Sequence, residues 1–322
     1  SGSSAASVGY RRRLGHLGIG TTGDTALSPV PILASGIEVT GGSRYGCTVD
    51  AAGDVYCWGP VDDTTTWLTP NRMPVVSDVV RVSSGVYHTC ALERSGDLYC
   101  WGIGGLLGDG TTVDSVTTPL RVPLTDVRDF SLSQDHTCAV RANGELHCFG
   151  FDVDGALGSS TGTSLSPQRV EGMDDIRRVV VAHASTCVLR ATNEIACFGR
   201  VDGGGATHLS PDVVTGLPDE RILDLSNSSG TAAKCAVMAS GRMYCWGSAN
   251  SFGDLGVGTQ APVSGPTQVL TYDDFTRVSN RDNLGCGIRD RHRAIACWGR
   301  ARRVGDGTEE LRSSPVDVVD FP

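Results

Sequence analysis

No window of this 322-residue chain carries a sustained apolar stripe at helical spacing; apolar residues come in short runs bounded by glycine, proline and polar turns. In the best-defined stretch, Val79-Val80-Arg81-Val82, Tyr87 to Leu92, Asp97 to Trp101 and Leu120-Arg121-Val122 read as four short strands, the middle two joined as a hairpin. The pattern is not a clean apolar-polar alternation. In the stretch 46–59, Val49 and Val55 share one face with Cys47 and Cys57, while Tyr56 and Trp58 take the other. Apolar side chains on both faces predict a sheet covered on both sides by its neighbours.

Versions of this hairpin recur five more times, around Cys90/Cys100, Cys138/Cys148, Cys187/Cys197, Cys235/Cys245 and Cys286/Cys297, so that six pairs use all 12 cysteines. Successive first cysteines lie 43, 48, 49, 48 and 51 residues apart. That period, made of short strands and glycine turns, marks an all-β propeller with one four-stranded blade per repeat. With Cys47 opposite Cys57, the turn is Ala51-Ala52-Gly53, whose last position favours a left-handed residue; Gly96, Gly144, Asn193 and Gly241 stand there in the next four copies. The sixth copy carries one extra residue, and Asp290 to Arg293 predicts a four-residue loop. Cysteines directly opposite on antiparallel strands lie roughly 4.5 to 5.5 Å apart at Cα, within disulfide reach, so each pair is expected to join within its own hairpin. A zinc knuckle would group its ligands more tightly. Each bridge should stabilise its hairpin by roughly 2 to 3 kcal/mol in the chain-entropy account. Cystines in this number point to an oxidising location: secreted, periplasmic or on a cell surface.

An aromatic residue followed by glycine closes every copy, at Trp58, Trp101, Phe149, Phe198, Trp246 and Trp298. The expected role is a wedge between blades, the glycine admitting the backbone of the next blade; a stacking platform for a sugar or chromophore would need exposed rings. Between hairpin and outer strand lies a glycine-rich loop, 104–112, echoed at 155–158, 253–259 and 304–308.

Taken together, Val82-x-x-Gly85-x-x-His88-Thr-Cys-Ala-Leu92, Gly96-x-Leu98-Tyr-Cys-Trp-Gly102, Leu107-Gly-x-Gly110-Thr and Pro119-x-x-Val122 resemble the repeat of the regulator of chromosome condensation (RCC-type) family. The resemblance covers about residues 37 to 322, and the added cysteine pair is similar to that of secreted bacterial members. It implies a blade geometry that usually makes seven blades. Only six hairpins exist, but residues 14–22 and Ser28-Pro-Val-Pro-Ile32 match the back half of a repeat, and 314–321 offers another outer strand and the start of an inner one. The expectation is therefore a single seven-bladed propeller and one domain: an N-terminal half-repeat over 1–36 that helps close the ring, then six repeats over 37–322. Six blades is the alternative. Relatives on similar scaffolds exchange nucleotide on a nuclear GTPase, sense ultraviolet light or inhibit a β-lactamase. The cystines disfavour the first role here, and the scattered tryptophans the second.

Composition narrows the function classes. A net charge of −9 argues against a nucleic-acid surface, and no run approaches the ~20 apolar residues needed to span a membrane. The sequence opens at Ser1 without a charged segment and apolar core, so a signal peptide is expected to have been removed or omitted. Of the 27 basic residues only Lys234 is lysine, which points to a high-GC genome more than to a function.

Several side chains are candidates for chemistry. His88, His136 and His183 recur at nearby repeat positions and would ligate a metal if they converged on the axis; a local structural role is expected. His16, His147, His208 and His292 share no spacing. Asp152-Val153-Asp154-Gly155 resembles the opening of a calcium loop but lacks the later glutamate, so a solvated turn is expected and no cofactor. Asp109, Asp254 and Asp306 fit turn geometry. Arg11, Arg12, Arg13, Arg300, Arg302 and Arg303 would form one basic patch for an anion, polysaccharide or protein partner if the chain ends meet. No nucleophile elbow, phosphate loop or paired glutamates appear, which leans against an enzyme. The expected function is a secreted module that presents loops on one face to an extracellular protein or surface. Alternatives are an extracellular hydrolase or lyase acting on polysaccharide or peptide at the axis, and a repeat subunit of a surface assembly.

Overall fold

The computed structural model describes residues 5–9, 18–21, 26–33, 36–42, 45–60, 66–112, 115–158, 162–201, 208–228, 233–248, 250–281, 283–290, 294–301 and 303–319. Among them are six four-stranded antiparallel sheets, one two-stranded sheet and no helix. Each four-stranded sheet is one contiguous repeat with its strands in chain order, giving blades over 38–72, 79–121, 127–169, 176–213, 222–268 and 275–317. The second blade, for example, consists of Val79–Ser84, His88–Glu93, Leu98–Ile103 and Ser115–Arg121. Two compact units divide the chain: Ser1–Asp152 with Thr161–Asp174, holding blades one to three, and Val153–Ser160 with Asp175–Pro322, holding blades four to six. Within each unit, neighbouring blades meet chiefly through their first strands, the arrangement of a β-propeller.

Six blades correct the expectation of seven. Among the described residues the N-terminal strands, Ala5–Gly9 and Ala26–Leu33, pair with each other and with no blade, because that segment lacks the cystine hairpin that makes the middle of every blade. At the other end, Arg312–Asp317 is the fourth strand of the sixth blade, and Val318 and Val319 donate back to Ile295 O and Gly305 O rather than starting a new sheet. The N-terminal segment still copies one job of a repeat. Gly18 lies against the Trp58 ring and Gly20 N donates to Leu68 O, just as Gly108 lies against Phe149 with Gly110 N on Leu165 O, and Gly256 against Trp298 with Gly258 N on Ser313 O.

All six cystines form within their hairpins, Cys47–Cys57, Cys90–Cys100, Cys138–Cys148, Cys187–Cys197, Cys235–Cys245 and Cys286–Cys297, each with Cα atoms 4.1 Å apart. The ladder explains the placement. Asp50 N donates to Asp54 O, so the alternation of an antiparallel pair leaves Cys47 opposite Cys57 at a non-hydrogen-bonded site, the closer of the two kinds. Turn geometry also follows the expectation, with positive φ at Gly53, Gly96, Gly144, Asn193 and Gly241, and Arg289 pairs with Ala294 to leave four residues in the sixth turn.

The turn is also a dock. Gly53, Gly96 and Gly241 accept through their carbonyls from Val79 N, Val127 N and Phe275 N, each the start of the next blade. Asn193 keeps this contact with its side chain, accepting from Ile222 N and donating to Glu220 O. The glycines after the closing aromatics act differently from expectation. A Cβ on Gly102 or Gly150 would strike His88 Cα at 2.7 Å or His136 Cα at 2.8 Å, so the backbone they admit belongs to their own blade.

The first strands are joined by charge. At the position two residues before the partner of each first cysteine stand, in chain order, Glu38, Arg81, Asp129, Arg178, Asp224 and Arg277, an acid alternating with a base. Arg81 pairs with Asp129 and Arg178 with Asp224, which is 2% exposed and has Arg277 at 3.9 Å on its other side. Glu38 Oε2 accepts from Val82 N at 3.0 Å and Asp224 Oδ2 from Val278 N at 2.8 Å, while Thr40 and Ser226 hydroxyls accept from Ser84 N and Asn280 N. One carboxylate thus serves both a guanidinium and a backbone N–H of the following blade.

At the start of the second strands another contact crosses between blades. Tyr45 Oη and Thr89 Oγ1 lie 3.0 Å apart, and His88 Nε2 lies 2.7 Å from Thr137 Oγ1. His88 is fully buried, and burial pushes its pKa down to about 3, so the ring is neutral. Lys234 replaces the threonine in the fifth blade and, fully buried, donates to Val201 O at 2.7 Å.

Outer strands carry a proline each: Pro70, Pro119, Pro167, Pro211, Pro266 and Pro315, beside a register shift against the third strand. A residue without an N–H on every exposed edge blunts pairing with other chains.

Two measurements test this packing. Gly172 and Gly241 both have positive φ, but a Cβ at Gly172 meets open space whereas one at Gly241 would stand on the Asp273 carbonyl. In urea denaturation Gly172→Ala should cost about 1 kcal/mol and Gly241→Ala at least about 2 to 3 kcal/mol; equal losses would contradict the docked turn. For His88, the unfolded ring takes up a proton below pH 6.5 that the folded ring refuses down to about pH 3. Stability should therefore fall by roughly 1.4 kcal/mol per pH unit on acidification through that window, and His88→Asn should remove about one proton from the slope. An unchanged slope in the variant would show that His88 is not held neutral.

Candidate partner-binding surface

The aromatic that closes each hairpin is buried, at most 7% exposed in any blade, as a wedge between blades requires and a stacking platform does not allow. Trp298 Nε1 donates to Asp254 O at 2.9 Å, tying the sixth blade's ring to the fifth blade's loop. In four of the six aromatic-Gly-X sequences, position X is presented on a constant frame. Its N–H donates to the carbonyl of the residue just before the second strand: Ile103 to Tyr87 O, Phe151 to Asp135 O, Arg200 to Ala184 O and Arg300 to Asn283 O. The glycine before it is left-handed, with φ 124° at Gly102 and 111° at Gly150. What this frame carries differs from blade to blade.

In the first unit it carries an apolar cluster. Tyr87, Ile103 and Phe151 are 46%, 43% and 40% exposed, although they sit directly on the buried strands of the second and third blades. Phe151 packs its ring edge on Gly105, where a Cβ would lie 3.4 Å from its Cζ, and Leu165 reaches the same glycine. The second blade's glycine-rich loop therefore continues the apolar surface from Ile103 to Phe151. Its Asp109 caps its own turn, accepting from Thr111 N at 3.2 Å and from Thr111 Oγ1 at 2.7 Å. In the second unit the same frame carries charge: Arg200 pairs with Asp154, and the Arg300 guanidinium lies 5.1 Å from the Phe252 ring centre.

At the opposite end of the fifth and sixth blades, a cavity of about 460 Å³ is lined by Gln268, Leu270, Thr271, Tyr272, Asp273, Asp274 and Arg289. Arg289 is held there by Asp274 and Asp317 at 2.8 and 2.7 Å and stacks 3.5 Å from the Tyr272 ring centre. The same ion pair recurs as Arg141–Asp126 and Arg190–Asp175, which marks it as part of the repeat.

Other side chains singled out in the sequence serve the scaffold or lie elsewhere. His88 bridges two blades, and His136 Nδ1 lies 3.2 Å from Ser133 Oγ. Among the described residues no three His, Cys, Asp or Glu side chains are grouped as metal ligands. Asp154, one half of the calcium candidate, is engaged by Arg200, and Asp306 closes its turn on Thr308 with Arg312 at 2.6 Å. Hydrogen bonds from these partners hold the Asp306 carboxyl below the usual range despite its desolvation, which acts the other way. Arg11, Arg12, Arg13 and Arg302 of the basic patch, with His16 and His292, lie outside the described residues; Arg303 is exposed. Tyr87, Ile103 and Phe151 went unnoticed in the sequence. For Ile103 and Phe151 the sequence marks the position, a variable residue after an invariant aromatic-Gly pair, but not its exposure; Tyr87 carries no such mark.

The model of the regulator of chromosome condensation (RCC1) repeat matches residues 79–105, 127–156 and 240–280. A search of curated proteins gives no match. Among solved structures, Prp20p from Saccharomyces cerevisiae, described with its binding to Gsp1p and histones, is 17% identical, with a TM-score of 0.84 over 99% of this chain and 88% of that one. Human WBSCR16 is 18% identical, with a TM-score of 0.74 over 82% and 76% of the two chains. The ectodomain of the Arabidopsis thaliana receptor kinase ACR4 is 18% identical, with a TM-score of 0.52 over 86% and 83%. Residues 79–105, 127–156 and 240–280 are thus RCC1-type repeats by sequence, and the fold that carries them is shared almost end to end with Prp20p.

Proposed function

We propose that this propeller is a binding module of an oxidising, extracellular or periplasmic setting, and that it holds a protein partner on the loop end of its second and third blades. The observation that carries the reading is the exposure of Tyr87, Ile103 and Phe151 on a rigid, fully packed frame. Exposed aromatic and aliphatic side chains of that kind are what a protein interface buries at its centre. The six cystines fit the setting. Prp20p, with the same fold, is described as binding Gsp1p and histones, and yeast RCC1 as bound to Kap60, so such a scaffold can present a protein-binding face.

The prolines on the outer strands work against assembly through sheet edges, and the acids and bases of the first strands are spent on one another rather than poised for catalysis. The test is capture of cross-linked partners from the native extracellular fraction by the wild-type chain and by Ile103→Ser/Phe151→Ser. A protein held by the wild type and lost from the variant, with Tm within about 2 °C, is expected, since both side chains are surface-exposed. Capture that ignores the substitutions, or turnover of a polysaccharide or peptide with no protein held, would overturn the reading.

A further inference from the structure

On one face of every blade the cystine is flanked by a cross-strand apolar pair, such as Leu92–Leu98 in the second blade and Ile288–Ile295 in the sixth. In the first five blades both members are at most 3% exposed, whereas Ile288 is 48% exposed and Ile295 is only partly buried. Where consecutive blades share a unit, the pair packs under an apolar residue at one register of the next first strand: Val82, Phe130, Leu225 or Val278. In the first blade that register holds Val39, which is 51% exposed against at most 7% for those four. The sixth blade thus exposes a face that is covered elsewhere, and the first blade exposes the residue that elsewhere covers it.

Charge shows the same mismatch. Arg277 stands directly across from Ile288 in the register, so the two side chains share that face. Arg81 and Arg178, at its position, pair with an acid one blade later, Asp129 and Asp224. Arg277 reaches only back, to Asp224 at 3.9 Å, and its side chain is 63% exposed. Glu38 is the other half. Asp224 takes an arginine from the blade before it and an N–H from the blade after; Glu38 takes the Val82 N–H and faces Arg81, both from the blade after. Desolvation outweighs these two and raises the Glu38 carboxyl above its ordinary range.

We infer that the chain associates head to tail with a second copy, one molecule seating Val39 on the Ile288–Ile295 pair of the other and setting Glu38 against its Arg277. The contact repeats between molecules the junction that joins blades within a unit, an apolar residue over the pair and an acid after a base. Both complementary features lie on two adjacent residues of the chain's own first blade, so a copy of the chain supplies everything the face lacks. The contact joins two different patches, which makes it heterologous. It is face on face, so the prolines of the outer strands do not oppose it, and it does not depend on Tyr87, Ile103 and Phe151.

Sedimentation and cross-linking of the full chain test this. Sedimentation should show a species heavier than the monomer, with a dissociation constant that rises about tenfold or more in Ile288→Ser and in Arg277→Ala. All 12 native cysteines are bridged, so single engineered thiols are the ones that react. Val39→Cys mixed with Ile288→Cys and treated with a short bismaleimide should give a two-chain product that neither variant gives alone. The substituted side chains are exposed, so melting temperatures within about 2 °C of the wild type confirm that each variant is folded. A chain that stays monomeric up to about 1 mM would overturn the inference. So would association indifferent to both substitutions, or linkage confined to single chains of the Val39→Cys/Ile288→Cys protein.

Discussion

A carboxylate that answers to two groups at once holds neighbouring blades in place. Asp224, almost wholly buried, accepts the Val278 N–H, pairs with Arg178 on the blade before and faces Arg277 on the blade after. Glu38 plays the same part for Val82 and Arg81, at the cost of desolvation that raises its own pKa. A buried charge is tolerable only when its partners are fixed, and here each is fixed by the strand that carries it. The side chain at this register therefore sets which blade can follow which. Above it, His88 and Tyr45 add neutral contacts to the threonine of the next blade, and below it the hairpin turn gives its carbonyl to the next first strand.

Within a blade the cystine does a different job. It closes the middle hairpin at the one kind of site where opposed Cα atoms approach closely, so strand pairing is set before any neighbour is in place. The outer strand is left with proline and a register shift, which ends the sheet. With the blade specified from inside and joined from its first strand, the exposed residues that follow the aromatic-Gly pairs carry little of the folding burden. They are free to differ, and they do: Ile103 and Phe151 in one unit, Arg200 and Arg300 in the other.

Much of this was legible in the sequence because it is written locally. The turn residues Gly53 and Asn193, the opposed cysteines and the aromatic before each glycine report backbone geometry within a dozen residues, and the structure reproduces them. The blade count was misjudged because fragments such as Ser28-Pro-Val-Pro-Ile32 look like an outer strand whether or not a hairpin exists to receive it. A better signal was present and overlooked. The series Glu38, Arg81, Asp129, Arg178, Asp224, Arg277 alternates acid and base with one member in each four-stranded sheet, and it has six members. The glycines after the aromatics were read as spacers towards the next blade, since nothing in a single repeat tells which backbone comes near. The exposed cluster at Tyr87, Ile103 and Phe151 was not legible, because exposure depends on where the neighbouring loop ends.

The central claim, that buried charge pairs between first strands hold successive blades together, is tested most directly by a double-mutant cycle on Arg178 and Asp224. Arg178→Ala, Asp224→Ala and the double variant would be compared by urea denaturation. The account predicts that each single change costs about 3 kcal/mol or more and that the double costs clearly less than their sum, with a coupling of at least about 1.5 kcal/mol. Additivity within about 0.5 kcal/mol would mean that the pair is incidental and that the blades are held by apolar packing alone.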